Sequence, residues 1–160
     1  MQIRPAERWD VPAIRAIVGA AYAPAASRIG RAPAPVAADY DALVQAQEAW
    51  VGEADDRVVG VLVIRPAGDV LELENVAVDP ASQRRGYGRA LIAFAEQRAR
   101  DLGLSGVTLY TNEAMVENLR FYPRLGFVET GRRVEDGYRR VFFRKSLDAR
   151  LARSSPQARG

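Results

Sequence analysis

The sequence contains neither cysteine nor histidine among its 160 residues. Their absence excludes disulfide bonds, cysteine nucleophiles, histidine-dependent catalytic triads and the common zinc sites. Any proton transfer must therefore use aspartate, glutamate, tyrosine, lysine or water. A metal site would need oxygen ligands alone, and no carboxylate spacing is typical of a calcium-binding loop, so we expect no bound metal.

Long apolar segments are also missing. No run of about 18 apolar residues is present, so the sequence predicts no membrane-spanning helix and no membrane partner. Residues 1–10 lack the apolar centre of a signal peptide, which makes the cytoplasm the expected location. At 160 residues and 48% hydrophobic content, the chain is long enough for one globular domain with its own core.

The excess of basic charge is confined to one end of the chain. The formal charge is +3 at pH 7, and residues 144–160 alone carry +4, so residues 1–143 carry −1. We expect one domain over residues 1–146 and a basic, flexible tail over residues 147–160. Nucleic-acid binding through this tail is a weak alternative function, because the body of the chain lacks a matching basic excess.

Turn residues and hydrophobic periodicity divide the domain into alternating elements. Asp10 and Pro12 mark a helix start, and residues 24–35, rich in alanine, proline and glycine, predict a loop. Gly103 marks the end of the longest later helix. The predicted strands are residues 2–4, 49–54, 57–65, 70–78, 107–111, 127–130 and 139–143. One predicted helix starts at residue 11, and three others cover residues 39–47, 86–102 and 115–122. Strand 107–111 is predicted to run parallel to strand 70–78.

The segment from Gln83 to Ala90 combines two glycines and three arginines with a helix start. The first amide groups of a helix lack internal partners and lie at its positive end, so such a site favours phosphate. Gly86 and Gly88 allow the backbone to approach a ligand closely. Neither the dinucleotide-binding fingerprint nor the P-loop pattern fits, since position 91 is leucine and no Gly-Lys pair follows. A plain helix start with solvated arginines is the alternative interpretation.

Two longer stretches make this segment recognisable. The stretch LENVAVDPASQRRGYGRALI resembles the acyl-CoA-binding core of the GNAT superfamily of N-acetyltransferases, whose pattern Q/R-x-x-G-x-G/A is matched by Gln83, Gly86 and Gly88. The stretch TNEAMVENLRFYPRLGF resembles the family's following helix, which contains an asparagine and ends in tyrosine before a Leu-Gly-Phe turn. The resemblance implies an α/β fold with a mixed, mostly antiparallel sheet flanked by helices. It also implies a splayed parallel strand pair that receives acyl-CoA.

The resemblance implies that acetyl-CoA is the cosubstrate. In the family, a bulge splays the strand before the loop, the pantetheine arm pairs with its exposed backbone groups, and one amide stabilises the reaction's oxyanion. The loop amides hold the pyrophosphate. The residues assigned to the cofactor are Val76, Ala77, Val78, Arg84, Arg85, Gly86, Tyr87, Gly88, Arg89, Ala90, Asn112, Asn118, Phe121 and Tyr122. For Asn112, a cap of the following helix is an alternative role.

Tyr122 matches a tyrosine of the family, and the resemblance implies that this tyrosine is the general acid for the departing CoA thiolate. A thiolate with a pKa of about 8.5 leaves more easily when a nearby hydroxyl group protonates it. The alternative role of Tyr122 is packing beside Phe121. Pro123 follows directly and disfavours helical geometry at the tyrosine, so we expect the helix to end there.

Glu74 is the candidate base for an incoming ammonium group, because no histidine is present. Alternation along residues 70–78 predicts that Glu72, Glu74 and Val76 share one face of the strand. Two carboxylates on a central strand are costly unless their face meets solvent or a site. A solvated sheet face is therefore the alternative to a catalytic role for Glu74.

The variable first half of the chain, residues 22–40, and the hairpin near Glu135 and Asp136 would supply the acceptor side. The candidate substrate residues are Tyr22, Asp39, Tyr40 and Asp136, since a carboxylate attracts ammonium. The implied reaction transfers acetyl from acetyl-CoA to a primary amine of a small molecule or protein, by direct attack in a ternary complex. The alternative function is a non-catalytic acyl-CoA-binding module that acts as a sensor or interaction domain. A homodimer is a further expectation from the family.

Overall fold

The computed structural model describes residues 1–147, which form seven β-strands and four α-helices. The strands are β1 (Gln2–Pro5), β2 (Ala49–Ala54), β3 (Arg57–Ala67), β4 (Val70–Val78), β5 (Gly106–Asn112), β6 (Val128–Glu135) and β7 (Tyr138–Ser146). The helices are α1 (Val11–Ile29), α2 (Tyr40–Gln45), α3 (Tyr87–Asp101) and α4 (Val116–Arg124). Of the helices in this described range, none has the length and apolar character needed to cross a membrane.

The tail expected over residues 147–160 lies almost wholly outside the described residues. Its first residue, Leu147, is buried and packs in the main core. The backbone amide of Leu147 also donates to the carbonyl oxygen of Ser105 at 2.8 Å. The structure therefore extends the packed domain by at least one residue, and the rest of the tail stays a prediction.

One mixed sheet organises the fold, with the strand order β1-β2-β3-β4-β5-β7-β6. Neighbouring strands are antiparallel except β4 and β5, which run parallel and are connected through α3. Their ladder is short, because it reaches only from the pair Val70 and Gly106 to the pair Leu73 and Leu109. Beyond that point β4 continues along β3, β5 continues along β7, and a gap opens between them. The predicted fold class and the splayed parallel pair are confirmed.

An extra residue in β4 marks the start of the gap. Val63 of β3 pairs with Asn75, whereas the next residue, Ile64, pairs with Leu73, so Glu74 is inserted between two ladder pairs. A β-bulge of this kind bends its strand and increases the local twist. We infer that it turns the C-terminal half of β4 away from β5.

The bulge also changes which side chains share a face. Leu73 lies in the core beneath α3, and Val76 packs against that same core. Ala77 belongs to the second core, beneath α1. The predicted alternation, which placed Glu74 and Val76 on one face, is therefore wrong after Glu74, because an inserted residue shifts the side-chain period by one.

Helices cover the two faces of the sheet unequally. On one face, α3 and α4 close the larger core, and Leu91, Ile92, Ala95 and Ala99 form the buried stripe of α3. On the other face, α1 and α2 cover β2, β3 and the end of β4. Within residues 1–147, no helix packs a core onto β5, β7 and β6 on the face that α1 and α2 cover elsewhere. This uncovered half of the second face lies next to the gap.

Helix α1 is longer than the sequence predicts. A loop was expected from Pro24, yet the helix continues through it to Ile29 and ends at Gly30, whose φ of 84° is left-handed. A proline inside a helix removes one hydrogen bond and crowds the preceding turn. Here alanines, the best helix formers, surround Pro24, and the neighbouring Ala25 is buried, which explains why the helix persists.

Candidate active site

A cleft opens at the gap between β4 and β5. Its walls come from α1, the loop before α2, β4, β5, α4 and β7. Six of the residues predicted from the sequence line it: Tyr22, Glu74, Val76, Asn112, Asn118 and Tyr122. The structure thus brings the predicted catalytic pair into one cavity together with part of the predicted cofactor and substrate sets.

The backbone of β4 presents polar groups to the gap, and of these the carbonyl oxygen of Val78 already accepts from the side-chain amide of Gln83 at 3.3 Å. The amide of Asp79 donates to the carbonyl oxygen of Val59 in β3 at 2.8 Å. Because donors alternate along a strand, Ala77 also faces β3, while the amides and carbonyls of Val76 and Val78 face the gap. The splay therefore leaves these two residues without a partner strand on the β5 side.

Helix α4 carries Tyr122 in regular helical structure. The helix continues through Pro123 to Arg124, so the expectation that it ends at Tyr122 is wrong. Backbone amides of Leu125 and Phe127 both donate to the carbonyl oxygen of Tyr122, at 3.0 and 3.1 Å. These bonds tie the final turn to the tyrosine and offset the constraint that the proline imposes on it.

Three aromatic rings hold the Tyr122 ring in the wall of the cleft. The ring centroids of Phe121, Phe127 and Phe143 lie 5.6 to 5.8 Å from that of Tyr122, within the range of favourable aromatic pairs. Only 6% of Tyr122 is exposed to solvent. Burial raises the pKa of its hydroxyl group above the ordinary value, so the group stays protonated and able to donate at neutral pH.

The burial of Tyr122 also predicts a pH dependence of stability. Unfolded tyrosine ionises near pH 10, whereas the raised pKa keeps Tyr122 protonated in the folded protein above that pH. Above pH 10 the unfolded chain therefore binds fewer protons, and the free energy of unfolding falls by up to about 1.4 kcal/mol per pH unit from this residue. Urea titrations between pH 8 and 11 should show a shallower fall in Tyr122→Phe. An identical slope in the variant and the wild type would contradict this assignment.

Glu74 sits at the bulge with a partly exposed carboxylate. Its side chain is 32% exposed and is paired with the guanidinium group of Arg65. Arg65 also binds Glu72, at 2.9 Å, so two carboxylates share one cation and the group carries a net negative charge. The position of Glu74 in the cleft fits the predicted role as a base for an amine. Its exposure and its ion pair fit the alternative, in which Glu74 lies on a solvated sheet face.

The glycine loop lies at the N-terminus of α3, as predicted. Gly86 occupies the N-cap with a φ of 79°, and no side chain caps the helix there. Of the predicted amides, that of Ala90 donates to the carbonyl oxygen of Gly86 at 3.0 Å and is already used within the helix. The amides of Tyr87, Gly88 and Arg89 come before the first internal bond and are available to a ligand.

Three arginines surround this helix start. Arg84, Arg85 and Arg89 are exposed, and within residues 1–147 none of them forms an ion pair. Arg84 adopts a φ of 66°, which is uncommon for a residue with a side chain. A Cβ atom at Gly88 would lie an ordinary 3.8 Å from Val78, so the protein itself does not require glycine there. The close approach of a ligand is a physical reason for it.

The two predicted asparagines both line the cleft, but each already serves a neighbour. The Asn112 side-chain oxygen accepts from the amide of Ala114 at 2.9 Å, while α4 begins only at Val116. Asn112 therefore holds the turn before the helix and is not the cap of α4. The Asn118 side-chain amide donates to the hydroxyl of Thr111 at 3.1 Å. Phe121 is outside the cleft lining and packs against the main core.

The predicted substrate residues separate in the structure. Tyr22 lines the cleft and donates its hydroxyl hydrogen to the side chain of Asn75 at 2.8 Å. Tyr40 is buried behind it, and burial raises the pKa of its hydroxyl to about 12. Asp39 caps α2 by accepting from the amide of Ala42 at 3.1 Å and does not line the cleft. Asp136, between β6 and β7, does not line the cleft either, so of the four predicted residues only Tyr22 is placed to contact a ligand there.

Several lining residues were not predicted from the sequence. Tyr110 of β5 and Tyr138 and Arg140 of β7 point into the cleft from the uncovered face. The hydroxyl of Tyr138 donates to the carbonyl oxygen of Ala32 at 2.6 Å, which ties the loop before α2 to β7. The one available signal was alternation within β5 and β7. Their pairing with each other is long-range, however, and alternation alone does not reveal which face borders the gap.

A profile of the acetyltransferase (GNAT) family matches residues 16–127. The chain belongs to the GNAT family. This confirms the predicted family and the predicted enzyme class, acetyltransferases that use acyl-CoA. Human N-acetyltransferase 8 is 34% identical over 88 residues, which cover 51% of this chain and 39% of that protein. The GNAT chain therefore spans about two fifths of the length of this curated relative.

Solved structures agree with the GNAT fold. The ribosomal-protein-S18-alanine N-acetyltransferase from Escherichia coli superposes with a TM-score of 0.73 at 21% identity, covering 91% of this chain and 93% of that one. An N-acetyltransferase from Thermoplasma acidophilum in complex with coenzyme A gives a TM-score of 0.71 at 14% identity, covering 91% and 98%. At such identities the likeness establishes the fold alone.

Proposed function

We propose that this GNAT protein transfers acetyl from acetyl-CoA to a primary amine by direct attack in a ternary complex. The observation that carries the proposal is the coincidence of three features at one place. The gap between β4 and β5, the cleft and Tyr122 in the cleft wall all meet where the thioester would lie. The absence of cysteine from the chain argues against a covalent acyl-cysteine step.

The residues present fit acetyl-CoA. The free amides of Tyr87, Gly88 and Arg89 at the positive end of α3 suit a pyrophosphate, and exposed arginines flank them. The gap-facing backbone groups of Val76 and Val78 suit the amides of the pantetheine arm. This arm would run from the helix start along β4 toward the cleft. The complex of the Thermoplasma protein with coenzyme A supports a cofactor of this class.

The proposed chemistry uses few side chains. The amine nitrogen attacks the thioester carbonyl, and a gap-facing amide of β4 stabilises the oxyanion that forms. Collapse of this intermediate forms the amide and breaks the carbon–sulfur bond. Tyr122 donates its proton to the departing thiolate, and Glu74, directly or through water, accepts the proton lost by the amine. In this scheme Tyr122 is restored by proton exchange with solvent.

Thiol release from acetyl-CoA with a panel of amines tests the proposal. A thiol-reactive dye gives no background from the protein, because the chain contains no cysteine. We expect saturable release with at least one amine class, and initial-rate lines that intersect when both substrates are varied, as a ternary complex requires. Parallel lines would contradict direct attack. Acetyl-CoA binding without release by any small-molecule or peptide amine would favour the non-catalytic binding module instead.

The proposal also includes the class of the amine acceptor, a cytoplasmic location and assembly into a homodimer. The named activity of the Escherichia coli neighbour makes a protein amine as reasonable a class to test as a small-molecule amine. A cytoplasmic location and a homodimer remain predictions from the sequence. Light scattering on the purified chain, with and without acetyl-CoA, tests the homodimer directly.

A further inference from the structure

The uncovered half of the sheet has an aromatic floor beside the cleft. Tyr110 of β5 and Phe142 of β7 pack with their ring centroids 5.8 Å apart. Tyr110 lines both the cleft and a second, broader cavity over these strands. Glu74 borders both cavities as well. The two cavities therefore form one continuous surface that leads to the proposed reaction centre.

Charged groups of opposite net sign stand on the two sides of this floor. On the β3 and β4 side, Arg65 is shared by Glu72 and Glu74, which leaves one net negative charge. On the β6 and β7 side, Glu135 is shared by two arginines. It binds Arg133 at 2.5 Å and Arg140 at 2.8 Å, which leaves one net positive charge.

Arg140 is the positive group that reaches the cleft. Its side chain is only 10% exposed, and its guanidinium group lies 4.3 Å from the centre of the Tyr110 ring. Within residues 1–147, the side chain of Arg140 makes one hydrogen bond, to Glu135. A guanidinium group has five N–H donors, so most of the donors of Arg140 have no partner among the described residues, and those donors remain accessible from the cleft. Charge-assisted donors that line a cleft and have no protein partner favour an anionic ligand.

We propose that the amine acceptor carries a carboxylate, which Arg140 binds while the ammonium group lies on the Glu74 side. This inference rests on the proposed function. A single net positive charge matches a carboxylate, and the planar fork of an arginine can bind both of its oxygens. The net negative group around Arg65 attracts the ammonium end, so a molecule with both charges is oriented with its nitrogen toward the gap. Free amino acids have this chemistry.

Thiol release with matched acceptors tests this inference on the whole chain. Each pair contains an amino acid and its decarboxylated amine: phenylalanine with phenylethylamine, leucine with isoamylamine, and lysine with cadaverine. We expect the carboxylated member to have a kcat/KM at least about 10-fold higher, as one charge-assisted bond provides. In Arg140→Met this preference should collapse toward 1 through a rise in KM, and Arg140→Lys should restore part of it.

Arg139→Met is the matched control. Arg139 precedes Arg140, is exposed and does not line the cleft, so the preference should be unchanged. Thermal unfolding of each variant shows whether it is folded. If folded Arg140→Met loses kcat/KM equally toward both members of every pair, Arg140 is only a packing residue, and the inference is overturned. A wild-type preference for the decarboxylated amines overturns the inference alone. Absence of release with every amine, despite acetyl-CoA binding, overturns the proposed function and this inference with it.

Discussion

Tyr122→Phe is expected to lower kcat by about 100- to 10,000-fold, the usual contribution of a positioned general acid. The substitution removes only the hydroxyl group from a ring held by Phe121, Phe127 and Phe143, so the packing of the cleft wall is retained. Affinity for acetyl-CoA should change little, because the proposed contacts with the cofactor are backbone groups of β4 and the start of α3. Steady-state kinetics and calorimetric titration with acetyl-CoA measure the two quantities separately.

The division between kcat and affinity is what distinguishes proton donation from packing. If Tyr122 only shaped the cleft, Tyr122→Phe would retain near-wild-type turnover. If the substitution disturbed the wall, acetyl-CoA affinity and turnover would fall together. Unchanged turnover would remove Tyr122 as the acid and leave a solvent molecule in that role.

Gly86→Glu is expected to weaken acetyl-CoA binding by about 100-fold or more. The new carboxylate would stand at the start of α3, where it competes with the pyrophosphate for the free amides and repels it. Two like charges 4 Å apart near a protein surface repel by about 4 kcal/mol, which corresponds to a loss of this size. A Cβ atom at Gly86 meets no other atom within 4 Å, so the cost within the protein is confined to its φ of 79°.

Gly103→Glu provides a matched control for that variant. Gly103 follows the other end of α3, has a φ of 71° and also has open space around its Cβ position. It therefore receives the same charge and a similar backbone strain about 25 Å away, at 1.5 Å per helical residue. We expect wild-type affinity for acetyl-CoA in Gly103→Glu. Equal losses in both variants would indicate general destabilisation, and normal affinity in Gly86→Glu would place the phosphate site elsewhere.

Local sequence determined a large part of this protein. The glycine loop, the amphipathic period of α3 and the turn residues between strands act over a few residues, and the elements they predict are present. The motifs around Gly86 and Tyr122 also identified the family, because they combine a helix start and an aromatic pair at a characteristic spacing. The prediction failed at Pro24 and Pro123, where helices continue because neighbouring residues and tertiary packing outweigh the local cost of proline.

Only the tertiary structure decided the geometry of the site. Alternation along β4 assigned Val76 to the wrong face, since the bulge at Glu74 depends on the register with β3. Arg140 went unnoticed because its burial, its place over Tyr110 and its shared partner Glu135 arise from the pairing of β7 with β5 and β6. The sequence by itself thus determined the family, most of the secondary structure and the glycine loop at the start of α3. Strand register and the uncovered sheet face decided which side chains meet in the cleft, because contacts between residues far apart in the chain leave no periodic pattern in it.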